Sequence, residues 1–154
     1  MKKLSTLILL AFFSFGCSNS VEKSMNPFFT DYDAPYQIPP FDEIKEEHYM
    51  PAFEKGMKEQ LEEIDQIANN KEQPTFENTL VELERTGKTL SRVADVFFNL
   101  LSSNTNEQMD KIAAEVSPKL SAHRDAISLN KNLFDRVHAV YEPVSYTHLR
   151  AHET

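Results

Sequence analysis

From position 46 onward, apolar and charged residues follow one another with the period of a helical turn. Phe53, Met57, Leu61, Ile64 and Ile67 recur at intervals of four and three, which stacks them on one helix face. Glu54, Lys58, Glu59, Glu62, Glu63 and Asp65 fill the other face. Pro51 is placed in the opening turn, where its missing N–H costs little. Asn69-Asn70 and Pro74 end the run. The spacing predicts a second helix over residues 76–102, with Thr75 as N-cap and Glu77 in the positive first turn. Phe76, Leu80, Leu83, Leu90, Val93, Phe97 and Leu100 form its stripe. Gly87 fills the gap in that stripe and reads as a close helix–helix contact rather than a break. Val96, Phe97, Phe98, Leu100 and Leu101 make the end of this helix apolar nearly all round, which predicts deep burial.

Thr105-Asn106-Glu107-Gln108 has the form of a capping box and opens a third helix with Met109, Ile112, Ala113 and Val116 inward. Pro118 is expected to kink this helix or end it near Val116, with Leu120, Ala126 and Ile127 continuing the apolar pattern beyond. Asn130 then caps a fourth helix bearing Leu133, Phe134, Val137, Val140 and Tyr141. No segment alternates with period two, no Asn-Gly or Asp-Gly turn occurs, and no internal repeat is visible. The predicted class is all-α, with four amphipathic helices able to close a small bundle. Upstream, Pro27, Pro35, Pro39 and Pro40 forbid a helix. Phe28, Phe29, Tyr32 and Tyr36 lie between them, so the chain from about Asn26 is expected to lie extended across a packed surface.

The N-terminus has a different character. Lys2 and Lys3 precede an apolar run over residues 4–15. The run falls short of the roughly 20 residues a spanning helix needs, and it has the form of a secretory h-region. Gly16-Cys17 follows, a small residue before the single cysteine of the chain. This resembles a bacterial lipoprotein cleavage box, in which Cys17 becomes the new N-terminus and carries lipid. Ser14 and Phe15 stand where a Leu and a small residue are usual, so an ordinary signal peptide cut nearby is the alternative. The chain therefore divides into a signal peptide (1–16), a lipid-anchored tether and lead-in (17–40), a helical region (41–143) and a closing segment (144–154). That last segment breaks the style of what precedes it and reads as a translated sequencing adapter, with the protein itself continuing past Pro143. His148 and His152 inside it have the four-residue spacing of a zinc half-site on a helix, but no third ligand is placed beside them.

Composition narrows the chemistry further. The 154 residues carry 16 basic and 24 acidic side chains, a formal charge of −8. So acidic a surface repels phosphate backbones, which argues against nucleic acid as a partner. One cysteine excludes an internal disulfide and any multi-cysteine metal site, and 3 glycines leave nothing for a phosphate-binding loop. Glu46-Glu47-His48 sets acids beside a histidine, yet sequence neighbours on a helix do not face each other, so it reads as a solvated helix start. His123, beside Arg124 and near Asp125, reads as a partner for a neighbouring helix or a further domain. Asp135 and His138 are three apart and read as a local surface pair. No serine sits in a nucleophile elbow and no H-E-x-x-H occurs. The residues themselves assign no catalytic, cofactor-binding or metal site, and Cys17 alone is marked, for lipid attachment.

Longer motifs carry a resemblance. They are Pro39-Pro40-Phe41-Asp42-Glu43-Ile44-Lys45-Glu46-Glu47-His48-Tyr49-Met50-Pro51-Ala52-Phe53, Pro74-Thr75-Phe76-Glu77-Asn78-Thr79, Val96-Phe97-Phe98-Asn99-Leu100, Ser103-Asn104-Thr105-Asn106, Leu120-Ser121-Ala122-His123 and Leu133-Phe134-Asp135-Arg136-Val137. In this order and spacing, over residues 26–142, the chain resembles the start of the peptidyl-dipeptidases (dipeptidyl carboxypeptidases) of the thimet-oligopeptidase family of zinc metallopeptidases. The resemblance implies an almost wholly helical protein whose zinc is held by two histidines of an H-E-x-x-H helix and a glutamate of a following helix. The glutamate of the motif activates the zinc-bound water. It implies two helical halves around a channel that admits short or unfolded peptides and releases C-terminal dipeptides, with the present helices in the roof. None of the zinc-ligand positions lies in this chain, so the resemblance implies that this polypeptide alone is inactive. The leader, not the resemblance, carries the expectation of an exported protein, lipid-anchored at a membrane or periplasmic. The alternative reading is a complete lipid-anchored helical binding or scaffold module without catalysis. A third, an acidic partner for basic proteins, rests on charge alone.

Overall fold

The computed structural model describes residues 25–150; the leader, Cys17 and His152 lie outside them. Every regular element among the described residues is helical, as the periodicity predicted. Two 3₁₀ turns, Pro27–Phe29 and Pro35–Gln37, lead into α1 (Glu46–Ala68). A π-helical stretch, Phe76–Val81, runs on into the single turn α2 (Glu82–Glu84). Then follow α3 (Lys88–Ser103), α4 (Glu107–Ser128) and α5 (Lys131–Arg150). None of the helices among the described residues is long and apolar enough to cross a membrane.

α1 is the axis on which α3, α4 and α5 pack, and it buries different faces along its length. Its N-terminal half contributes Tyr49, Ala52 and Phe53 to a cluster with Phe28, with Val93, Val96 and Phe97 of α3, and with Met109, Ile112 and Val116 of α4. Edge-to-face rings tie this cluster together: the centroids of Tyr49 and Phe97 lie 5.0 Å apart and those of Phe53 and Phe97 5.3 Å apart. Its C-terminal half contributes Ile64, Ile67 and Ala68 to a second cluster with Leu133 of α5, flanked by Leu83, Ile127 and Val137. The packed helices thus bury two cores in series along α1. Leu61, predicted inward, is 38% exposed on the open side. Phe98, Phe134 and Tyr141 also emerge at the surface, at 38%, 62% and 65% exposure.

The predicted second helix is broken. Gly87 takes a left-handed φ of +73°, a conformation that costs a residue with a Cβ about 1–2 kcal/mol. It caps α3, while the Arg85 and Thr86 amides close the preceding turn on Glu82 and Leu83. The close helix–helix approach falls instead at Gly56, where a Cβ would stand 2.7 Å from the Leu90 backbone nitrogen. α1 starts at Glu46 as read, but Pro51 lies inside the helix, past the opening turn in which it was expected. Its missing N–H would have met the carbonyl of Glu47, an exposed residue that water can serve. Pro118 does not end its helix either: α4 runs through it to Ser128. Val116 before it and His123 after it are both buried, so packing on both sides offsets a helix-interior proline's cost of about 3 kcal/mol. The α4 cap is Asn106, one residue later than the predicted box. Its side-chain oxygen accepts from the Gln108 and Met109 amides. Thr75 and Asn130 cap as predicted, accepting from the Asn78 and Leu133 amides at 3.1 and 3.0 Å.

The lead-in packs as expected over its first residues. Phe28 is fully buried, and Asn26 donates to the His48 carbonyl at 2.8 Å. Arg92 donates to the Phe28 carbonyl at 3.1 Å, pairs with Asp31 and lies over the Tyr32 ring. It is not extended throughout, however. Tyr36 and Gln37 both have positive φ, and the Tyr36 ring is 97% exposed.

Candidate functional site

Between the two apolar cores lies a polar layer. α1 presents Gln60 and Glu63 between Phe53 and Ile64. α4 presents His123 between Val116 and Ile127. The α2–α3 turn presents Thr86 and Gly87. His123 Nε2 lies 2.7 Å from Gln60 Oε1, which can only accept, so the proton sits on Nε2. Gln60 Nε2 then donates to Thr86 Oγ1 at 3.3 Å, and that hydroxyl donates to the Leu83 carbonyl at 2.9 Å. The polarity of the chain is fixed from histidine to carbonyl. Alongside it the Gly87 amide donates to Glu63 Oε2 at 2.7 Å. His123 Nδ1 is left buried without a partner, and burial holds the imidazole below its ordinary pKa. The layer ties α1, α4 and the α2–α3 turn in register. Among the described residues no hydroxyl, thiol or carboxylate stands bonded to the imidazole.

A cavity of about 280 Å³ lies beside this layer, lined by Glu63, Gln66, Ile67, Asn70, Asn78, Glu82, Arg85 and Thr86. Behind its rim Arg136 of α5 is buried, with 7% exposure. Its guanidinium donates to the carbonyls of Asn70 and Glu72 at 2.7 and 3.0 Å and to Asn78 Oδ1 at 3.0 Å. One cation thereby fixes the whole link from α1 to the π-helical stretch, with Nε left unpartnered. The sequence signal for it is position: Arg136 falls between Leu133 and Val137 on the inward stripe of α5, where an apolar residue is expected.

The other candidates from the sequence fare differently. His48 is buried rather than solvated. Its Nδ1 accepts from the Lys45 amide at 3.0 Å and so closes the start of α1. His123 does serve a neighbouring helix, α1. Asp135 and His138 do not meet. Asp135 pairs with Lys131 at 2.5 Å, and His138 stacks on Phe134 with centroids 5.9 Å apart. Burial raises the Tyr49 and Tyr32 hydroxyls, and the Lys55 ammonium holds Glu59 down. These are packing effects at scattered positions. Among the described residues no three of His, Cys, Asp or Glu come together, so they do not fit a zinc ion. Cys17 and His152 lie outside the described residues.

What the residues do not supply by chemistry they supply by kinship. No family model matches the chain. It is 40% identical over 119 residues to the dipeptidyl carboxypeptidase of Escherichia coli, a match over 77% of this chain and 18% of that protein. It is 42% identical over 119 residues to the dipeptidyl carboxypeptidase of Salmonella typhimurium, with the same shares. The chain thus spans under a fifth of the length of the curated relatives it matches. Over that span its sequence is similar to one segment of these two bacterial dipeptidyl carboxypeptidases.

Proposed function

We propose that this chain is the N-terminal helical region of a zinc metallopeptidase of the thimet-oligopeptidase family, which releases dipeptides from the C-terminus of short peptides. The observation that carries the reading is the identity of 40% and 42% over 119 residues to two dipeptidyl carboxypeptidases. Identity at that level, spread over helices that bury two cores, reflects one fold. In this reading zinc is held by the remainder of the enzyme, since the described residues offer no ligand set. Zinc supplies an activated water there. The present helices contribute scaffold, and the polar layer and the Arg136 clasp hold that scaffold in one arrangement. The 154-residue chain alone is inactive. Cys17, lipidated after export, tethers the enzyme to a membrane.

The test is the full-length protein with an N-blocked tetrapeptide. The free C-terminal dipeptide is expected, with release lost on chelation and restored by zinc. A purified full-length protein that releases no dipeptide under these conditions overturns the proposal. For the anchor, labelled fatty acid is expected to enter the protein and to be lost in Cys17→Ser. Incorporation unaffected by that substitution removes the anchor from the account.

A further inference from the structure

The helices differ in what they show to solvent. α4 exposes no large apolar side chain, and the two that α1 and α3 expose, Leu61 and Phe98, are each 38% accessible. α5 is apolar on two sides. Leu133 and Val137 face the second core. On the other side Phe134 and Tyr141 stand 62% and 65% exposed, seven residues and so two turns apart. His138 lies between them, stacked on Phe134. Leu129, in the turn before the helix, is 82% exposed. Among the described residues no element covers this face. A helix apolar on two sides is made to be packed on two sides, and exposed aromatic rings in a row mark a docking surface.

We infer that the Phe134–His138–Tyr141 face of α5 is the seat for the remaining part of the same polypeptide. This rests on the proposed function: the matched segment is 18% of the relatives' length, so over four fifths of such an enzyme lies outside it and has to join it. The occupant is an apolar helical surface of that remainder. A second copy of this chain or a lipid surface are the competing occupants.

The test is accessibility at position 141 in a Cys17→Ser background. Tyr141→Cys is compared with Ser121→Cys, an exposed control on α4. Maleimide labelling is followed in the 154-residue chain and in the full-length protein. At position 141 labelling is expected to be at least tenfold slower in the full-length protein, with equal rates at 121. Equal rates at 141 in a full-length protein that releases dipeptides overturn this inference and leave the functional proposal standing. A full-length protein without activity overturns the functional proposal instead, and this inference with it. A second variant guards against misfolding. Phe134→Ser/Tyr141→Ser is expected to keep the circular dichroism of the 154-residue chain and to weaken its binding to the separately made remainder at least a hundredfold. Unchanged binding overturns the inference. So does concentration-dependent dimerisation of the 154-residue chain that the double substitution abolishes, or slower labelling of the Tyr141→Cys chain in the presence of phosphatidylglycerol vesicles.

Discussion

Gly56 separates two accounts of the α1–α3 seam. In a helix open to solvent, Gly→Ala gains about 1 kcal/mol of helix propensity. Here the new Cβ would stand 2.7 Å from Leu90 N and 2.8 Å from Leu90 Cα, where ordinary contact starts at 3.4 Å. α3 must therefore retreat by more than half an ångström. A gap of roughly 0.5–1 Å forfeits a quarter to a half of the dispersion attraction across it. The side chains astride that seam are Phe53, Val93 and Phe97, all fully buried. Overpacking costs about 1–3 kcal/mol, and the upper end applies because the obstruction is backbone that no rotamer change can move. After the propensity gain, Gly56→Ala is expected to lose about 2 kcal/mol net. In a chain of this size that lowers Tm by roughly 4–8 °C. Urea unfolding of the 154-residue chain, followed by far-UV circular dichroism, reads the loss directly. Adding Leu90→Ala should give no rescue, since the atoms in the way remain. A Gly56→Ala protein as stable as the parent, or more stable, refutes the close approach.

Other consequences follow from the same contacts. Gly87→Ala combines a left-handed φ with a Cβ 2.5 Å from the Gln60 side chain, and it should cost about 2–3 kcal/mol in the same urea assay. Gly87→Asn, better suited to that φ, should cost less than the alanine. Arg136→Met strands the Asn70 and Glu72 carbonyls and should cost about 3 kcal/mol, with faster amide exchange confined to residues 69–86. Arg136→Lys should restore little, because a point charge cannot reproduce the fork. For His123 the folded pKa lies below the ordinary 6.5, so the unfolded chain binds the proton first. Its contribution is therefore whole above about pH 6.5 and declines as the pH falls below it. His123→Gln should flatten the loss of stability between about pH 7 and 5.5; an unchanged slope would move that loss to other groups.

Helix existence was legible because α1, α4 and α5 carry apolar residues at a turn's spacing, and because Thr75 and Asn130 are oxygen-bearing caps. The breaks were less legible. Gly87 sits in phase with Leu83 and Leu90, so spacing alone allowed both a close contact and a left-handed turn. The Glu63 carboxylate on its amide and the Gln60 amide on the Thr86 hydroxyl decide for the turn, and both contacts are tertiary. Pro118 would end an isolated helix, but burial on either side of it carries α4 through. Gly56 passed as an ordinary helix residue, since nothing local announces that another backbone lies against it. The polar layer was half legible: His123 pointed to a neighbouring helix, while its partners Gln60 and Thr86 are uncharged and carry no pattern. Arg136 was visible only within a motif, and the stripe position that buries it becomes telling once α5 is docked. The proposed peptidase activity rests on the similarity to the two carboxypeptidases alone, because the described side chains hold helices together and bring no reactive groups to one point.

The central claim, that these helices open a longer zinc peptidase, is tested most directly by a long read of the source DNA through the codon for Pro143. The account predicts a frame that runs on for several hundred codons, contains H-E-x-x-H and does not encode residues 144–154. A frame that encodes residues 144–154 and then stops contradicts it, and would make the complete helical module the protein's own form.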